Sequence, residues 1–186
     1  WDNASTDISP EIAKSFDNRL RYFRSEKTVS LGHARNLALG KANGDYIAFL
    51  DCDDIWLPEK LKKQVSILND HLDADLLYSN YFIMKGNRKI LALRKRQPQG
   101  NVFERFLYNY PVAILTAIIR KKALEGLDSL FDENLNLAEE FDLFLRLLYK
   151  SKAVYQDCPV AVYRVHSGMG SIKFIDKWHS EITYVI

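Results

Sequence analysis

Cysteine and long hydrophobic runs are scarce in this sequence of 186 residues. Its two cysteines, Cys52 and Cys158, are too few and too far apart for a disulfide framework or a zinc site, and a reducing compartment fits them best. The longest apolar stretch, Val112 to Ile119, is too short to span a bilayer. An excess of charge is also missing, because 26 Lys and Arg stand against 24 Asp and Glu. The formal net charge of +2 therefore gives no support for nucleic acid as a partner.

The sequence does contain enough apolar material for one substantial core. It is 47% hydrophobic and 12% aromatic, and its length is that of one ordinary domain. We find no internal repeat, low-complexity segment or linker, so we expect residues 1–186 to form a single domain. One local basic cluster, Arg94 to Arg96, has two interpretations: a solvated loop, or a contact with an anionic substrate or a membrane surface.

Strands and helices alternate over the first half of the chain, which predicts an α/β fold with a mainly parallel central sheet. The predicted strands are 19–26, 45–50, 73–84, 112–120 and a pair within 153–166 that is broken at Pro159. The predicted helices are 10–18, 33–43, 58–70, 101–110, 121–127, 136–151 and a tail helix from Phe174 to Ile186.

Three acids, Asp51, Asp53 and Asp54, follow directly on a buried apolar strand. In an open α/β sheet, ligands bind outside the carboxyl ends of the strands. Two carboxylates two residues apart can share a hard cation such as Mg²⁺ or Mn²⁺ while phosphate oxygens supply the other ligands. The alternative is that Asp54 caps the next helix and the other two are solvated turn residues. A calcium-binding EF-hand is excluded, since Trp56 and Lys62 occupy the places where it needs Gly and Glu.

Four segments in order resemble the family-two inverting glycosyltransferases, which have the GT-A fold, a Rossmann-like fold for nucleotide-diphospho-sugars. Trp1 to Asp7 is similar to the acidic strand end of that family, commonly DDGSTD. Gly32 to Leu61 is similar to its central signature with the DXD motif, Asn136 to Leu147 to its acceptor-side helix with an E-D pair, and Val162 to Ser171 to its Tyr-Arg-x-His segment.

The resemblance implies a binding site for a nucleotide-sugar, formed by five side chains. Asp2 is expected to contact the base and ribose. Arg35 and Asn36 are expected near the nucleotide, and the planar fork of an arginine suits pyrophosphate. Asp53 is expected to bind a Mn or Mg divalent cation that bridges the two phosphates, and Asp51 to act through the ribose or the waters of that metal. The alternatives are a turn former for Asp2 and an exposed helix residue for Arg35.

The resemblance also implies a catalytic pair, Glu139 and Glu140, at the start of an amphipathic helix. Glu140 stands where the family usually has Asp, and it is expected to act as general base on the acceptor hydroxyl. Asp142 is a fallback for this role. His166 is expected to approach the phosphates or the metal, with an ordinary strand-end histidine as the alternative. The alternative for both glutamates is that they only complement the helix dipole.

The expected reaction is metal-dependent transfer of a sugar from a nucleotide-sugar, with UDP as the expected nucleotide, to an acceptor hydroxyl with inversion, in polysaccharide or glycolipid synthesis. The expected partners are the donor and a glycan or lipid-linked acceptor, at a cytoplasmic location. Peripheral contact with the inner membrane face and a homo-oligomer stay open. The family normally has one more strand and helix before residue 1, so the resemblance implies an N-terminally incomplete domain.

Two other functions compete with this interpretation. A phosphohydrolase of the haloacid-dehalogenase type also places D-x-D after a buried strand, with the first Asp as nucleophile. A non-catalytic fragment that binds nucleotide-sugars is the other.

Overall fold

The computed structural model describes residues 1–173 and 175–186. Its α-helices are Ser9–Lys14 (α1), Leu31–Leu39 (α2), Lys60–Asp70 (α3), Phe103–Tyr108 (α4), Lys121–Glu125 (α5), Glu139–Lys150 (α6), Gly170–Lys173 (α7) and Trp178–Val185 (α8). Its strands are Tyr46–Ile47 (β1), Ile55–Trp56 (β2), Ala74–Lys85 (β3), Arg88–Leu91 (β4), Ile118–Arg120 (β5) and Lys152–Val165 (β6). Two short 3₁₀ helices cover Ile114–Thr116 and Ile175–Lys177.

The sheet is mixed, with strand order β1-β5-β3-β6-β2 and β4 added beside β3. The long strands β3 and β6 run parallel in its centre, and the other described pairs are antiparallel. The α/β class is therefore as predicted, but among the described strands a parallel arrangement holds only for this central pair. The physical reason for antiparallel pairing is clearest at β4. This strand follows β3 after only two residues, and a parallel pair would need a long crossover connection.

Three strand predictions are wrong in detail. Residues 112–120 contain a 3₁₀ turn, and only Ile118–Arg120 forms a strand. The predicted break at Pro159 does not occur, because β6 continues through it as one strand. Pro159 lies opposite Asn80, where the register between β3 and β6 shifts, and such an irregularity tolerates the missing N–H of proline. The predicted strand 19–26 is reduced to a single bridge between Asp2 and Arg24.

The helices form close to where the sequence predicts them, with different ends. Ser30 caps α2, its hydroxyl accepting the N–H of His33, and that helix ends at Leu39 rather than at residue 43. Glu59 takes a left-handed conformation with φ of 66°, so α3 begins one residue after it. Phe174, the first residue of the predicted tail helix, lies outside the described residues.

The core lies between the sheet and α6. The inward face of α6 is buried, including Phe144 at 0% exposure and Phe141 at 4%. Tyr110 meets Phe141 and Phe106 in edge-on ring contacts with centroids 4.9 and 5.8 Å apart. This packing fixes the orientation of α6 and of the glutamates at its start. In the described part of the chain, no helix has both the length and the apolarity to cross a membrane.

Candidate active site

A cleft of about 390 Å³ opens between the loop after β1, the start of α6 and the segment after β6. Its polar lining consists of Arg35, Asp51, Asp53, Asp54, Tyr81, Tyr110, Asn136, Glu139, Glu140 and Tyr163. Both predicted carboxylate pairs, which are 86 or more residues apart in sequence, thus face the same cavity.

The acidic loop is held against β6 by Arg164. The side chain of Arg164 donates to the backbone oxygens of Cys52, at 3.3 Å, and of Asp53. Its backbone N–H donates to a carboxylate oxygen of Asp54 at 3.0 Å. Asp54 is therefore part of the cleft and does not cap α3. Burial raises the pKa of Asp54 to about 6, although the N–H of Arg164 opposes that change.

Asp53, which lines the cleft, forms a pair with His166, which is not part of the cleft lining. Nε2 of His166 lies 2.9 Å from a carboxylate oxygen of Asp53, and the two side chains are 46% and 36% exposed. The N–H of Gly168 donates to Nδ1 of His166 at 3.1 Å. A neutral His166 consequently carries its proton on Nε2 and donates it to Asp53.

Arg35 joins the two carboxylate pairs. Its Nη2 lies 3.1 and 3.2 Å from the two carboxylate oxygens of Asp51, and its Nη1 lies 2.7 Å from Oε1 of Glu139. The side chain is only 8% exposed, and it lies over the ring of Phe131 with the guanidinium carbon 5.5 Å from the centroid. Arg35 is therefore a buried ion-pair residue at the centre of the site, and its interpretation as an exposed helix residue is wrong.

The glutamate pair lies in a poorly hydrated environment. Burial raises the pKa of Glu140 to about 8; Arg35 opposes this change, while Glu139 and the aspartates of the loop reinforce it. Burial likewise raises the pKa of Glu139, and Arg35 again opposes it. A carboxyl group with a pKa near neutral pH can both take up and release a proton, as a general base must.

Two buried polar atoms of the cleft have no hydrogen-bond partner within the described residues. They are Oε2 of Glu139 and the hydroxyl of Tyr110. Buried polar atoms are normally satisfied, so a pair of unsatisfied ones in one cavity indicates that a ligand or ordered water completes them. Tyr110 was not identified from the sequence, because an aromatic residue after a helix is usually a core residue.

Glu181 of α8 supports the start of α6. Its buried carboxylate accepts the backbone N–H groups of Asn136, Leu137 and Ala138 at 2.8 to 3.1 Å. These are groups just before the first turn of α6, where a helix leaves N–H donors without internal partners. No sequence signal could have identified Glu181, because it lies more than 40 residues from the loop that it holds.

Asp142 lies outside the cleft. Its carboxylate is bound by Arg146, with Nε 3.1 Å from both oxygens and Nη2 2.6 Å from one of them. Two residues along a helix turn the side chain by about 200°, away from the direction of Glu140. The structure therefore does not bring the fallback base together with the other candidate residues.

Asn36 is engaged in packing α2 against the loop before α6. Its side chain donates to the carbonyl oxygen of Phe131 at 2.9 Å and accepts the N–H of the same residue at 3.0 Å. Gly32, one turn earlier, allows the close approach, since a Cβ there would lie 2.8 Å from the carbonyl oxygen of Asp132. Asn36 is not part of the cleft lining, and its contact with a nucleotide stays a prediction.

Asp2 also lies outside the cleft lining. Its carboxylate accepts the backbone N–H of Ser5 at 2.8 Å and the hydroxyl of Tyr22. These hydrogen bonds, helped by the charge of Arg24, lower the pKa of Asp2 to about 2 against the effect of burial. Backbone hydrogen bonds of Asp2 with Phe23 and Ser25 tie this segment to residues 22–25, and the contact of Asp2 with a base stays a prediction.

Asp53 and His166 are the pair best suited to hold a divalent cation. A carboxylate oxygen and an imidazole nitrogen are both ligands of Mn²⁺, and the two side chains meet at a position open to solvent. For Nε2 of His166 to bind a cation, its proton must move to Nδ1 and displace the N–H of Gly168. In the residues that the structure describes, no cluster of three or more His, Cys, Asp or Glu could hold a metal. The protein thus fits a cation with few protein ligands, as when phosphate oxygens supply the rest. Asp51 is turned to Arg35 instead.

The chain matches one family model over most of its length. The model described as Glycosyl transferase family 2 matches residues 1–127. An uncharacterised glycosyltransferase of Methanocaldococcus jannaschii is 30% identical over 154 residues, which are 79% of this chain and 52% of that protein. The UDP-Glc:alpha-D-GlcNAc-diphosphoundecaprenol beta-1,3-glucosyltransferase WfgD of Escherichia coli is 28% identical over 179 residues, which are 93% of this chain and 67% of that protein.

A solved structure has a similar fold. TarS of S. aureus, crystallised in complex with UDP-GlcNAc, matches 91% of this chain and 49% of its own chain with a TM-score of 0.75 and 22% sequence identity. The expected GT-A fold is therefore confirmed. The chain spans about half to two thirds of the length of these three proteins.

Proposed function

Since the chain belongs to the family 2 glycosyltransferases, we propose that it transfers a sugar from a UDP-sugar to an acceptor hydroxyl with inversion at the anomeric carbon. The proposed setting is polysaccharide or glycolipid synthesis, with a glycan or lipid-linked acceptor. The relatives support this, because WfgD is named as a glucosyltransferase for a diphosphoundecaprenol-linked sugar and TuaG of Bacillus subtilis as a putative teichuronic acid biosynthesis glycosyltransferase.

The observation that carries the proposal is the convergence of two acidic groups on one cleft. The loop with Asp51 and Asp53 supplies a side that would suit a diphosphate once a cation is bound there, and Glu140 supplies a proton acceptor. Arg35, which contacts both Asp51 and Glu139, links the two sides. A sugar held between them would have its leaving group and its attacking hydroxyl on opposite sides, which inversion requires.

In the proposed reaction, the acceptor hydroxyl loses its proton to the carboxylate of Glu140 as its oxygen attacks the anomeric carbon. A new carbon–oxygen bond forms on one face, and the bond to the diphosphate breaks on the other, with its electron pair going to the phosphate oxygen. Glu139 stays bound to Arg35, and its second oxygen, together with the hydroxyl of Tyr110, is available to orient the acceptor. Proton removal by a positioned carboxylate accelerates such reactions by about 10²- to 10⁴-fold.

Asp53 and His166 would hold a Mn or Mg ion, with Asp51 acting through its waters or the ribose. Such an ion neutralises charge on the departing diphosphate. Arg164 would keep Asp53 in place by binding the backbone of the loop.

The first test is calorimetry of the chain with UDP, with and without Mn²⁺, followed by UDP release from UDP-glucose and UDP-GlcNAc in the presence of sugar and lipid-diphosphate acceptors. We expect UDP to bind only when Mn²⁺ is present and UDP release to depend on Glu140. If UDP bound but no sugar were transferred to any of the acceptors, the non-catalytic binding function would be favoured instead. Release of phosphate from a simple phosphomonoester, lost in Asp51→Asn, would favour the phosphohydrolase, although the ion pair of Asp51 with Arg35 is unsuited to a nucleophile.

A further inference from the structure

One edge of the sheet is densely cationic. The β3–β4 hairpin and the segment after it present six exposed basic side chains, here called the basic edge: Lys85, Arg88, Lys89, Arg94, Lys95 and Arg96. Within the described part of the chain, none of the six forms an ion pair with a carboxylate, whereas basic residues elsewhere, such as Lys62 and Lys152, do. Their charges are therefore available to an external partner.

The basic edge is also separated in sequence from negative charge. No Asp or Glu occurs between Asp75 and Glu104, a stretch that contains all six cations. The formal net charge of +2 for the chain is thus divided into +6 in this stretch and −4 in the rest. The near-neutral total conceals a strongly polar molecule, and an anionic surface would attract this edge and repel the remainder.

The backbone of this region is held in a defined position. The turn between β3 and β4 is made by Gly86, with φ of 56°, and Asn87. Farther along, the buried side chain of Asn80 donates to the carbonyl oxygen of Leu93 at 2.7 Å and accepts its N–H at 3.0 Å. The residues from 94 onward therefore leave the sheet from a fixed point, and the basic edge is not a loose tail.

Apolar side chains accompany the cations. Ile90 and Leu91 of β4 are 40% and 41% exposed. On the same hairpin, the ammonium group of Lys89 lies 4.2 Å from the ring centroid of Phe82. A soluble polyanion would need only the charges, whereas a lipid surface offers phosphate groups to the cations and an apolar layer to the exposed aliphatic side chains.

We propose that the basic edge docks the protein on the surface of a bilayer that contains anionic lipids. The hairpin lies at the same end of the sheet as the cleft, because β3 and β6 are parallel, Lys85 is beside Val165, and His166 follows directly. Docking would consequently bring the open side of the cleft near the bilayer, where a lipid-linked acceptor would be found. The docking itself does not depend on the proposed transferase function, although this last consequence does.

The test is sedimentation of the whole chain with vesicles of phosphatidylcholine alone and with vesicles in which phosphatidylglycerol replaces part of it. We expect binding to the anionic vesicles only, and weaker binding at higher salt. The triple variant Arg94→Gln, Lys95→Gln, Arg96→Gln should bind on the order of 100-fold more weakly, since each cation near an anionic surface contributes roughly a fivefold gain in affinity.

A matched control removes the same charge elsewhere. Lys63→Gln, Lys122→Gln, Lys150→Gln together take away three exposed cations that form no ion pair within the described residues and should leave vesicle binding unchanged. Equal thermal unfolding and equal UDP binding of both triple variants would show that the fold is intact. Equal loss in the two triple variants, binding to neutral vesicles, or binding to soluble polyphosphate without binding to vesicles would each overturn the proposal.

Discussion

The two acidic groups of the cleft have the same carboxyl chemistry in opposite surroundings. Asp51 and Asp53 lie on a loop, their side chains 41% and 36% exposed, and each has a basic side chain beside it. Glu139 and Glu140 begin a helix whose inward face is core, and burial raises both of their pKa values. One group is therefore suited to bind cations and the other to exchange a proton. Burial, rather than residue type, decides between these roles.

Removing the proton acceptor should give the largest effect. Glu140→Gln keeps the shape of the side chain but cannot take up a proton, so we expect kcat for sugar transfer to fall by about 10³-fold. The binding of UDP with Mn²⁺ should change little. The rise of activity with pH toward about 8 in the unaltered chain should also disappear, because that limb reports Glu140 losing its proton.

Glu104→Gln is the control for this variant, since Glu104 is exposed on α4. A Glu140→Gln variant with normal kcat would show that the glutamate pair only complements the helix dipole.

Changes in the exposed aspartate group should affect the binding of UDP instead of kcat. Asp53→Asn removes a carboxylate that faces His166, and we expect the affinity for UDP in the presence of Mn²⁺ to fall by roughly 100-fold. Calorimetry at several Mn²⁺ concentrations would measure this. Asp70→Asn, an exposed change at the end of α3, should bind UDP normally. If Asp53→Asn bound UDP in the presence of Mn²⁺ as tightly as the unaltered chain does, the assignment of the cation to this loop would be wrong.

A smaller effect is expected from the support of the glutamate helix. Glu181→Gln replaces a charged acceptor of three N–H groups by a neutral amide, and we expect kcat to fall by about 10-fold through displaced glutamates. UDP affinity should be retained, and Glu181→Asp should recover part of the activity. A loss of UDP affinity equal to the loss of kcat would indicate general unfolding instead of misplacement of α6.

The difference between the exposed aspartates and the buried glutamates also predicts how the stability of the protein depends on pH. The pKa of Glu140 is raised from 4.5 to about 8 in the folded protein, so the folded state keeps a proton that the unfolded state loses. Its contribution to the free energy of unfolding is complete below 4.5 and is lost as the pH rises to about 8, at up to about 1.4 kcal/mol per pH unit.

Urea unfolding across this pH range should therefore show Glu140→Gln gaining stability over the unaltered chain as the pH rises. Parallel curves for the two proteins would mean that Glu140 is hydrated and that its pKa is ordinary.

Patterns within single segments were predictable from the sequence. The amphipathic spacing of α6 and the long apolar run of β3 both gave correct elements, because burial of one face is written in the periodicity itself. The short strand at 112–120 and the break at Pro159 were predicted wrongly. Those outcomes depend on the neighbouring strand, as the register shift opposite Asn80 shows for Pro159.

The candidate site was predictable only as separate motifs. The D-x-D after a strand and the Glu pair at a helix start indicated acids that the structure brings to one cleft, and the family resemblance ordered them along the chain. Asp142 was the fallback for Glu140 in the sequence, yet the rotation of the helix directs it to Arg146. Asp54, Arg164 and Glu181 were missed in these roles, since each acts through contacts with residues more than 40 positions away.

The amino-acid sequence by itself determined that this is an α/β domain of the family 2 type, and which residues carry its acids. Only the tertiary structure decided which acids meet, which are hydrated and which keep a proton, because these properties depend on neighbours distant in the chain. Arg35 illustrates the difference: its position in α2 follows from local spacing, whereas its bridge from Asp51 to Glu139 exists only when β1 and α6 pack around it.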